Sequence, residues 1–542
     1  MAEKFVIGAD FGTDSVRCVV VNSLNGKIAG ESVSFYPRWK EGLYIDREKS
    51  IFRQHPLDFV ESFIDATRLA VEQSKHREDI VAIAIDTTGS TPVIVDKNGV
   101  PLSLLKGMED DVDGMFYLWK DHSSIVEASE INNLAHSGKY LDYTKFSGNT
   151  YSSEWFWAKA LHAIKNNAKV RSLAYSIVEH CDWMSALLTG NTSPDTIKRG
   201  RCAAGHKCMW NESWGGFPSK EFFAELDPKL GEIRSHMSDQ TYTLDQDIGF
   251  MSEEWLEKLN LKGNIKVSVG AIDAHMGAIG GGIEEGTMVK SIGTSTCDIV
   301  ISKKGTRDCI DGICGEVNGS VLPGYIGYEA GQSAWGDYFS WFASLSQWVI
   351  ENFGLQSVDK GMILKELDKE AGKIDVQESS PLALDWINGR RSPFANQYLK
   401  AAWIGLDFSS SYPKLYKMLL ESVAFGAKEI IDCFEQGGVE IKKIMVVGGV
   451  ARKSCTGMQI LADITGREIE VSSVVQSGAY GAAISATVVA GIYATFEDAI
   501  EELKRPVEKV YKPNRKNEEI YSHLFQKYKG LGKYVESVSQ VM

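Results

Sequence analysis

The sequence predicts an α/β architecture with buried sheets, built as two related halves. Three observations predict it. Short apolar strands that end on glycine or small polar residues alternate with long segments of helical apolar spacing. One strand–turn–strand pattern occurs twice, near residues 5 and 288. The chain has 542 residues, well beyond the roughly 250–300 at which a single core stops growing.

The first copy of the repeat is Phe5-Val6-Ile7-Gly8-Ala9-Asp10-Phe11-Gly12-Thr13-Asp14-Ser15, followed by an apolar run over 16–21. The second is Met288-Val289-Lys290-Ser291-Ile292-Gly293-Thr294-Ser295-Thr296, followed by Ile299-Val300-Ile301. Each reads as a β-hairpin. Each turn carries Gly-Thr and then Ser or Asp, so it offers backbone N–H groups and hydroxyls that can wrap a phosphate. Further strands end in the same way. Residues 81–85 run into Asp86-Thr87-Thr88-Gly89-Ser90, Val267-Ser268-Val269 into Gly270-Ala271-Ile272-Asp273, and 444–447 into Gly448-Gly449. Residues 413–436 carry helical spacing. The boundary is expected near residue 266, giving domains 1–266 and 267–542. A duplicated α/β chain places its ligand between its halves. The segment from about 505 on is charged and helical and reads as a surface addition.

Composition narrows the partners. The formal net charge is −14, with no block of like charges. An acidic surface without a basic stripe argues against nucleic acid and against anionic membrane. No apolar stretch reaches the ~18–20 residues needed to span a bilayer. Nine cysteines without a C-x-x-C pair read as reduced core thiols. The start, Met1-Ala2-Glu3-Lys4, has no apolar signal region. Together these predict a cytoplasmic protein; a homo-oligomer stays open.

The commoner phosphate sites are missing. There is no G-x-x-x-x-G-K-[ST], no H-R-D catalytic loop, and no strand-following G-x-G-x-x-G with a later acid. The run 277–282 suits close packing. Phosphate chemistry therefore rests on the paired Gly-Thr hairpins. Asp10 ends a buried strand beside the first of them. A lone buried carboxylate needs a partner, and Mg²⁺ on nucleotide phosphates supplies one; the alternative is a solvated Asp capping the turn. Asp273 follows a strand and opens a Gly-rich helix, whose N-terminus favours negative charge. It can take the proton of an attacking hydroxyl, or serve only as an N-cap. Histidines 122, 206 and 275 lack metal-ligand spacing. Trp155-Phe156-Trp157 reads as core, whereas Trp119 could stack on a sugar or cover a domain edge.

These motifs resemble the FGGY carbohydrate kinases, within the actin, hexokinase and heat-shock chaperone ATPase superfamily. Gly8-x-Asp10-Phe11-Gly12-Thr13-x-Ser15-x-Arg17 is similar to that family's first phosphate motif, and Ile292-Gly293-Thr294-Ser295 to its second. The stretch from Met445 through Gly448-Gly449-Val450-Ala451-Arg452 to Asp463 resembles the adenosine motif. Glu421-Ser422-Val423-Ala424-Phe425-Gly426-Ala427 and Gly478-Ala479-Tyr480-Gly481-Ala482-Ala483 resemble helices that pack at the hinge. Longer segments resemble the L-ribulokinases, among them Thr88-Gly89-Ser90-Thr91-Pro92, Leu118-Trp119-Lys120-Asp121-His122, the run Arg199 to Lys207, Asp273-Ala274-His275-Met276-Gly277 and Gly327-Tyr328-Glu329-Ala330.

The resemblance implies two actin-like, ribonuclease H-like ATPase domains with an interdomain cleft. It implies ATP and Mg²⁺, and a small-molecule sugar, L-ribulose, phosphorylated in L-arabinose degradation. Gly12, Thr13, Gly293, Thr294, Gly448, Gly449 and Arg452 would hold ATP. Asp10 and Asp273 would hold the metal, and Asp273 would be the general base. Ser90, Thr91, Trp119, Lys120, Asp121, Lys207, Asp273 and Glu329 would meet the sugar. One departure stands out: many of these kinases carry Arg after the W-x-D stretch, where this chain has His122. Two competing readings remain, a kinase for another ketopentose or pentitol and an actin-like nucleotide switch. The polar, aromatic-rich stretch 107–215 favours a sugar pocket over the switch.

Overall fold

The computed structural model describes residues 3–303, 309–354 and 358–539. The chain packs into two compact units that interleave along the sequence. One holds 1–282, 315–327 and 476–505; the other holds 283–314, 328–475 and 506–542. The strand that delivers Asp273 and the helix it opens lie in the first unit, with the hairpin of Asp10.

The first unit is built on a mixed sheet. Phe5–Phe11 and Ser15–Asn22 pair antiparallel, with Asp10 opposite Arg17. Ile28–Phe35 continues the meander. On the other side Ile80–Thr87 lies parallel to Phe5–Phe11 and sets Asp86 beside Asp10. Lys266–Ser268 and Ala271–Ile272 pair parallel with Ile80–Thr87, the latter placing Ala271 beside Asp86. The central strands are apolar and buried almost throughout, as a sheet covered on both faces requires.

Helix Ser477–Val489 covers one face. Its residues are all but one buried, and most are Ala, Gly, Ser or Val. The small side chains allow backbone contact. A Cβ on Gly481 would stand 1.8 Å from the carbonyl oxygen of Met276, in helix Asp273–Gly280. The run 277–282 is therefore a packing surface.

The second unit repeats the plan. Thr287–Ile292 and Thr296–Lys303 form the hairpin. Lys443–Val447 runs parallel to Thr287–Ile292, as Ile80–Thr87 does to Phe5–Phe11. Glu468–Ser472 extends the sheet in parallel, and Val507–Tyr511 adds an antiparallel strand. The helix expected over 413–436 spans Tyr412–Gln436.

The C-terminal segment is not a surface addition. Val507–Tyr511 is a strand of the sheet, and helix Arg515–Ser539 buries Tyr521, Leu524, Phe525 and Tyr528. Its tyrosines are tied to the core: Tyr528 Oη donates to Asp385 Oδ1 at 2.7 Å, and Tyr521 Oη to Glu421 Oε1 at 2.9 Å. The charged residues that suggested a surface element line its outer face only. Among the described residues no helix is long and apolar enough to cross a membrane.

Candidate active site

Parallel strands collect residues at their C-terminal ends, and in the first unit three carboxylates gather there. Asp10 is the penultimate residue of the first strand, Asp86 stands next to it in register, and Asp273 follows Ile272, the neighbour of Thr87. Asp86 is fully buried, and neither of its oxygens has a hydrogen-bond donor among the described residues. Its polar neighbour is another acceptor, the carboxyl of Asp10. Burial pushes the Asp86 carboxyl well above the usual carboxylate range, and the charges of Asp10 and Asp273 push the same way. Burial also raises Asp10, against the pull of Arg17, whose Nη1 lies 3.6 Å from Oδ2. Two carboxyls so placed coexist by sharing a proton or a cation. Gly478 leaves the space: a Cβ there would meet Asp10 Oδ2 at 2.9 Å and Asp86 Oδ1 at 3.2 Å.

Asp273 occupies the first turn of helix Asp273–Gly280, with Ile272 at the N-cap position. Its Oδ1 accepts from the backbone N–H of Ala274 at 2.7 Å. The positive end of the helix dipole thus lies at this carboxylate.

The first Gly-Thr turn is closed by Gly12 N–H donating to the Ser15 carbonyl at 2.9 Å. Thr13 anchors a neighbouring loop. The indole N–H of Trp119 donates to Thr13 Oγ1 at 3.1 Å, and Gln54 Nε2 donates to the Thr13 carbonyl at 2.7 Å. Trp119 therefore joins the loop 118–122 to the first Gly-Thr turn. Lys120 lies over Phe52 and Trp39, 4.9 and 5.3 Å from the ring centres. Asp121 is fully buried. It pairs with Arg53, and it accepts from Phe52 N–H at 2.6 Å and from the Ser123 hydroxyl at 2.6 Å. These bonds fix the loop from inside.

Ser90 and Thr91 are also buried, and both are held by Glu179: the Ser90 hydroxyl donates to it, and Thr91 N–H donates at 2.9 Å. Lys207 closes helix Arg201–Lys207, 4% exposed, with its ammonium 5.6 Å from the ring centre of Trp155. Trp155, Phe156 and Trp157 are core. His122 bonds Ser153 at 3.1 Å and His206 bonds Ser320 at 3.0 Å. The rings of His206 and His275 lie 4.5 Å apart.

In the second unit the Gly293-Thr294 turn is exposed. Its carbonyls receive the start of helix Gly336–Asn352: Trp335 N–H donates to Thr294 at 2.8 Å and Gly336 N–H to Gly293 at 3.1 Å. Gly448 has φ +101°, and a Cβ there would lie 2.6 Å from the carbonyl oxygen of Ile292. Only glycine lets these two strand ends approach so closely. Arg452 binds Glu508 at 2.7 Å and the Ser472 carbonyl at 2.9 Å. Glu329 lies in strand Tyr325–Ala330, 6% exposed.

Two groups of residues escaped the sequence reading. Asp86 had a visible signal, an apolar strand ending in Asp as at Asp10. Beneath the second turn, Lys290 is fully buried and donates to both oxygens of Asp298 at 2.9 Å, to Gln332 Oε1 at 3.1 Å and to Thr296 Oγ1 at 3.3 Å. Its signal was the one charged residue in the strand Thr287–Ile292, which must find partners when buried.

Comparison with known proteins agrees with the motifs. Residues 288–490 match the model of the C-terminal domain of the FGGY family of carbohydrate kinases. A ribulokinase of Vibrio parahaemolyticus is 42% identical over 551 residues, covering 99% of this chain and 97% of its own. A ribulokinase of Halalkalibacterium halodurans is 33% identical, covering 98% and 95%. Among solved structures, the xylulose kinase of Rhodospirillum rubrum has a TM-score of 0.80 at 18% identity, covering 99% of this chain and all of its own. The Plasmodium falciparum glycerol kinase with ADP has a TM-score of 0.75 at 16% identity, covering 97% and 98%. At such identities the structures speak for the fold.

Proposed function

We propose, since the chain belongs to the FGGY family of carbohydrate kinases, that it transfers the γ-phosphoryl group of ATP to L-ribulose, giving L-ribulose 5-phosphate in L-arabinose catabolism. The observation that carries this reading is the 42% identity to a ribulokinase over 99% of the chain. The strand-end carboxylates supply matching chemistry.

In this reading Asp273 accepts the proton of the terminal hydroxyl as its oxygen bonds to the γ-phosphorus and the bond to ADP breaks. Gly12, Thr13, Gly293 and Thr294 hold phosphates through N–H and hydroxyl groups, and Gly448, Gly449 and Arg452 hold the adenosine. Trp119, Lys120, Lys207 and Glu329 meet the sugar. Ser90, Thr91 and Asp121 meet it in the same reading, from loops that their bonds to Glu179, Phe52 and Arg53 hold in place. As a division of motifs along the sequence, the halves 1–266 and 267–542 belong to the same reading; packing draws its lines elsewhere.

The first unit fits a hard divalent cation. Among the described residues Asp86 has no hydrogen-bond donor, Asp10 lies beside it in register, and Arg17 pairs with Asp10. Asp10 and Asp273 would hold Mg²⁺, with Asp86 beside Asp10 in the neighbouring strand. When bound, Mg²⁺ neutralises charge that develops on the transferred phosphoryl group. An ATP-consuming enzyme with no disulfide among its described residues belongs in the cytoplasm.

Asp273→Asn tests the assignment of the base. The variant should keep the melting temperature and lose about 10²-fold or more in kcat, the scale of a lost general base. A near-normal kcat would take Asp273 out of that role.

A further inference from the structure

We propose that Lys159, together with Glu179, is a positioning pair that fixes the loops 88–92 and 118–122 against each other and thereby sets how well the acceptor sugar is held. This rests on the reading above, in which those loops frame the sugar. Lys159 sits on helix Phe156–Asn166, only 1% exposed. Its ammonium donates to the Ser90 carbonyl at 2.7 Å and to the Leu118 carbonyl at 3.0 Å. Those carbonyls belong to the two separate loops. Glu179 ends strand Ser176–Glu179, opposite Pro92, and is 2% exposed. It completes the clamp by accepting from Thr91 N–H and the Ser90 hydroxyl.

A packing role alone would be served by an apolar side chain, because burying an amine and a carboxylate is costly. A lysine is suited to this position because three donors on one nitrogen can reach carbonyls from two loops at once. The charged groups that face Lys159 are Glu179, Glu154, Arg53 and Lys207; Glu179 faces Lys159 and Lys207. Burial brings Lys159 down to about 7 and raises Glu179, so both move toward their neutral forms. The ammonium, and with it the tight grip on both carbonyls, is fully present on the acid side of about 7 and fades as the pH rises through it. Lys207, a proposed sugar contact, is among the groups that feel this charge.

The test compares the full-length enzyme with Lys159→Met and Glu179→Gln. KM for the sugar should rise roughly tenfold or more in Lys159→Met, the effect of losing bonds from a charged donor. KM for ATP should move less than about twofold. In the wild type, sugar KM should climb as pH passes about 7, and this limb should vanish in Lys159→Met. The second readout needs no substrate: amide hydrogen exchange should quicken at both 88–92 and 118–122 in that variant. If Lys159→Met does not fold, Glu179→Gln carries the test, with a smaller rise in sugar KM and faster exchange at Thr91. Unchanged sugar KM and unchanged exchange at both loops in a folded variant overturn the proposal, as does an equal rise in both KM values. If L-ribulose supports no ATP turnover while another pentulose or pentitol does, the ribulose reading fails. The pair is then judged on that acceptor; if none turns over, it is judged on exchange alone.

Discussion

Three carboxylates at the ends of adjoining strands repel one another, and the charge balance of the first unit turns on how that repulsion is relieved. Without a cation, Asp86 relieves it by keeping its proton: burial and the charges of Asp10 and Asp273 all raise its pKa. The consequence for stability has a definite sign. A carboxyl whose folded pKa is raised stabilises the fold fully below its unfolded value, ~3.9. That contribution is lost as the pH climbs through the folded value. The metal-free protein should therefore lose melting temperature as pH rises from about 4 through the raised value, and Asp86→Asn should flatten that slope. If Mg²⁺ binds at Asp10 and Asp273 as proposed, its charge displaces the proton of Asp86, so the gain in melting temperature on adding Mg²⁺ and ADP should grow with pH over the same window. Thermal scans at several pH values, with and without Mg²⁺ and ADP, measure both. A slope that is identical in the wild type and Asp86→Asn would mean that Asp86 does not carry the proton.

Asp10 and Asp273 stand out in the sequence because each lies at the end of an apolar strand inside a recognisable motif. Asp86 lies at the end of one too, but what sets it apart is its register beside Asp10, and register between distant strands is not written locally. Lys159 was illegible as a clamp for the same reason, since the Ser90 and Leu118 carbonyls lie 69 and 41 residues away in sequence.

At the scale of elements, helix Ser477–Val489 shows how composition fixes position. Its near-continuous Ala and Gly surface lets its backbone lie against helix Asp273–Gly280, the element that presents Asp273. Gly481→Ala would drive a methyl group to 1.8 Å from the Met276 carbonyl, a backbone atom that cannot rotate away. We expect a loss of ~3 kcal/mol, the upper end of ordinary overpacking. It should appear as a lower melting temperature, together with reduced kcat if the shift reaches Asp273. A variant with unchanged melting temperature would show that the helices adjust freely. The glycine pattern was visible in the sequence, but its packing partner was not. The C-terminal helix was misread for a complementary reason: its charges are evident in the sequence, whereas the burial of Tyr521 and Tyr528 depends on Glu421 and Asp385, which are far away in the chain.

For the whole molecule, the duplicated hairpin was the most legible feature, because strand, Gly-Thr turn and strand are local and occur twice. The units drawn by packing were less legible. Residues 476–505 rejoin the first unit after nearly two hundred residues spent mostly in the second, and only tertiary contact reveals the return. A fold of this kind serves many acceptors, so the acceptor is decided by side chains rather than by architecture. The most direct measurement of the central claim is ADP release from ATP and Mg²⁺ across a panel of L-ribulose, D-ribulose, L- and D-xylulose, ribitol, L-arabinitol and glycerol, with the phosphorylated product identified by mass and NMR. The account predicts the highest kcat/KM with L-ribulose, a product phosphorylated at the terminal 5-hydroxyl, and little ATP hydrolysis without acceptor. ATP turnover that ignores the acceptor, or a clear preference for xylulose or glycerol, would contradict it.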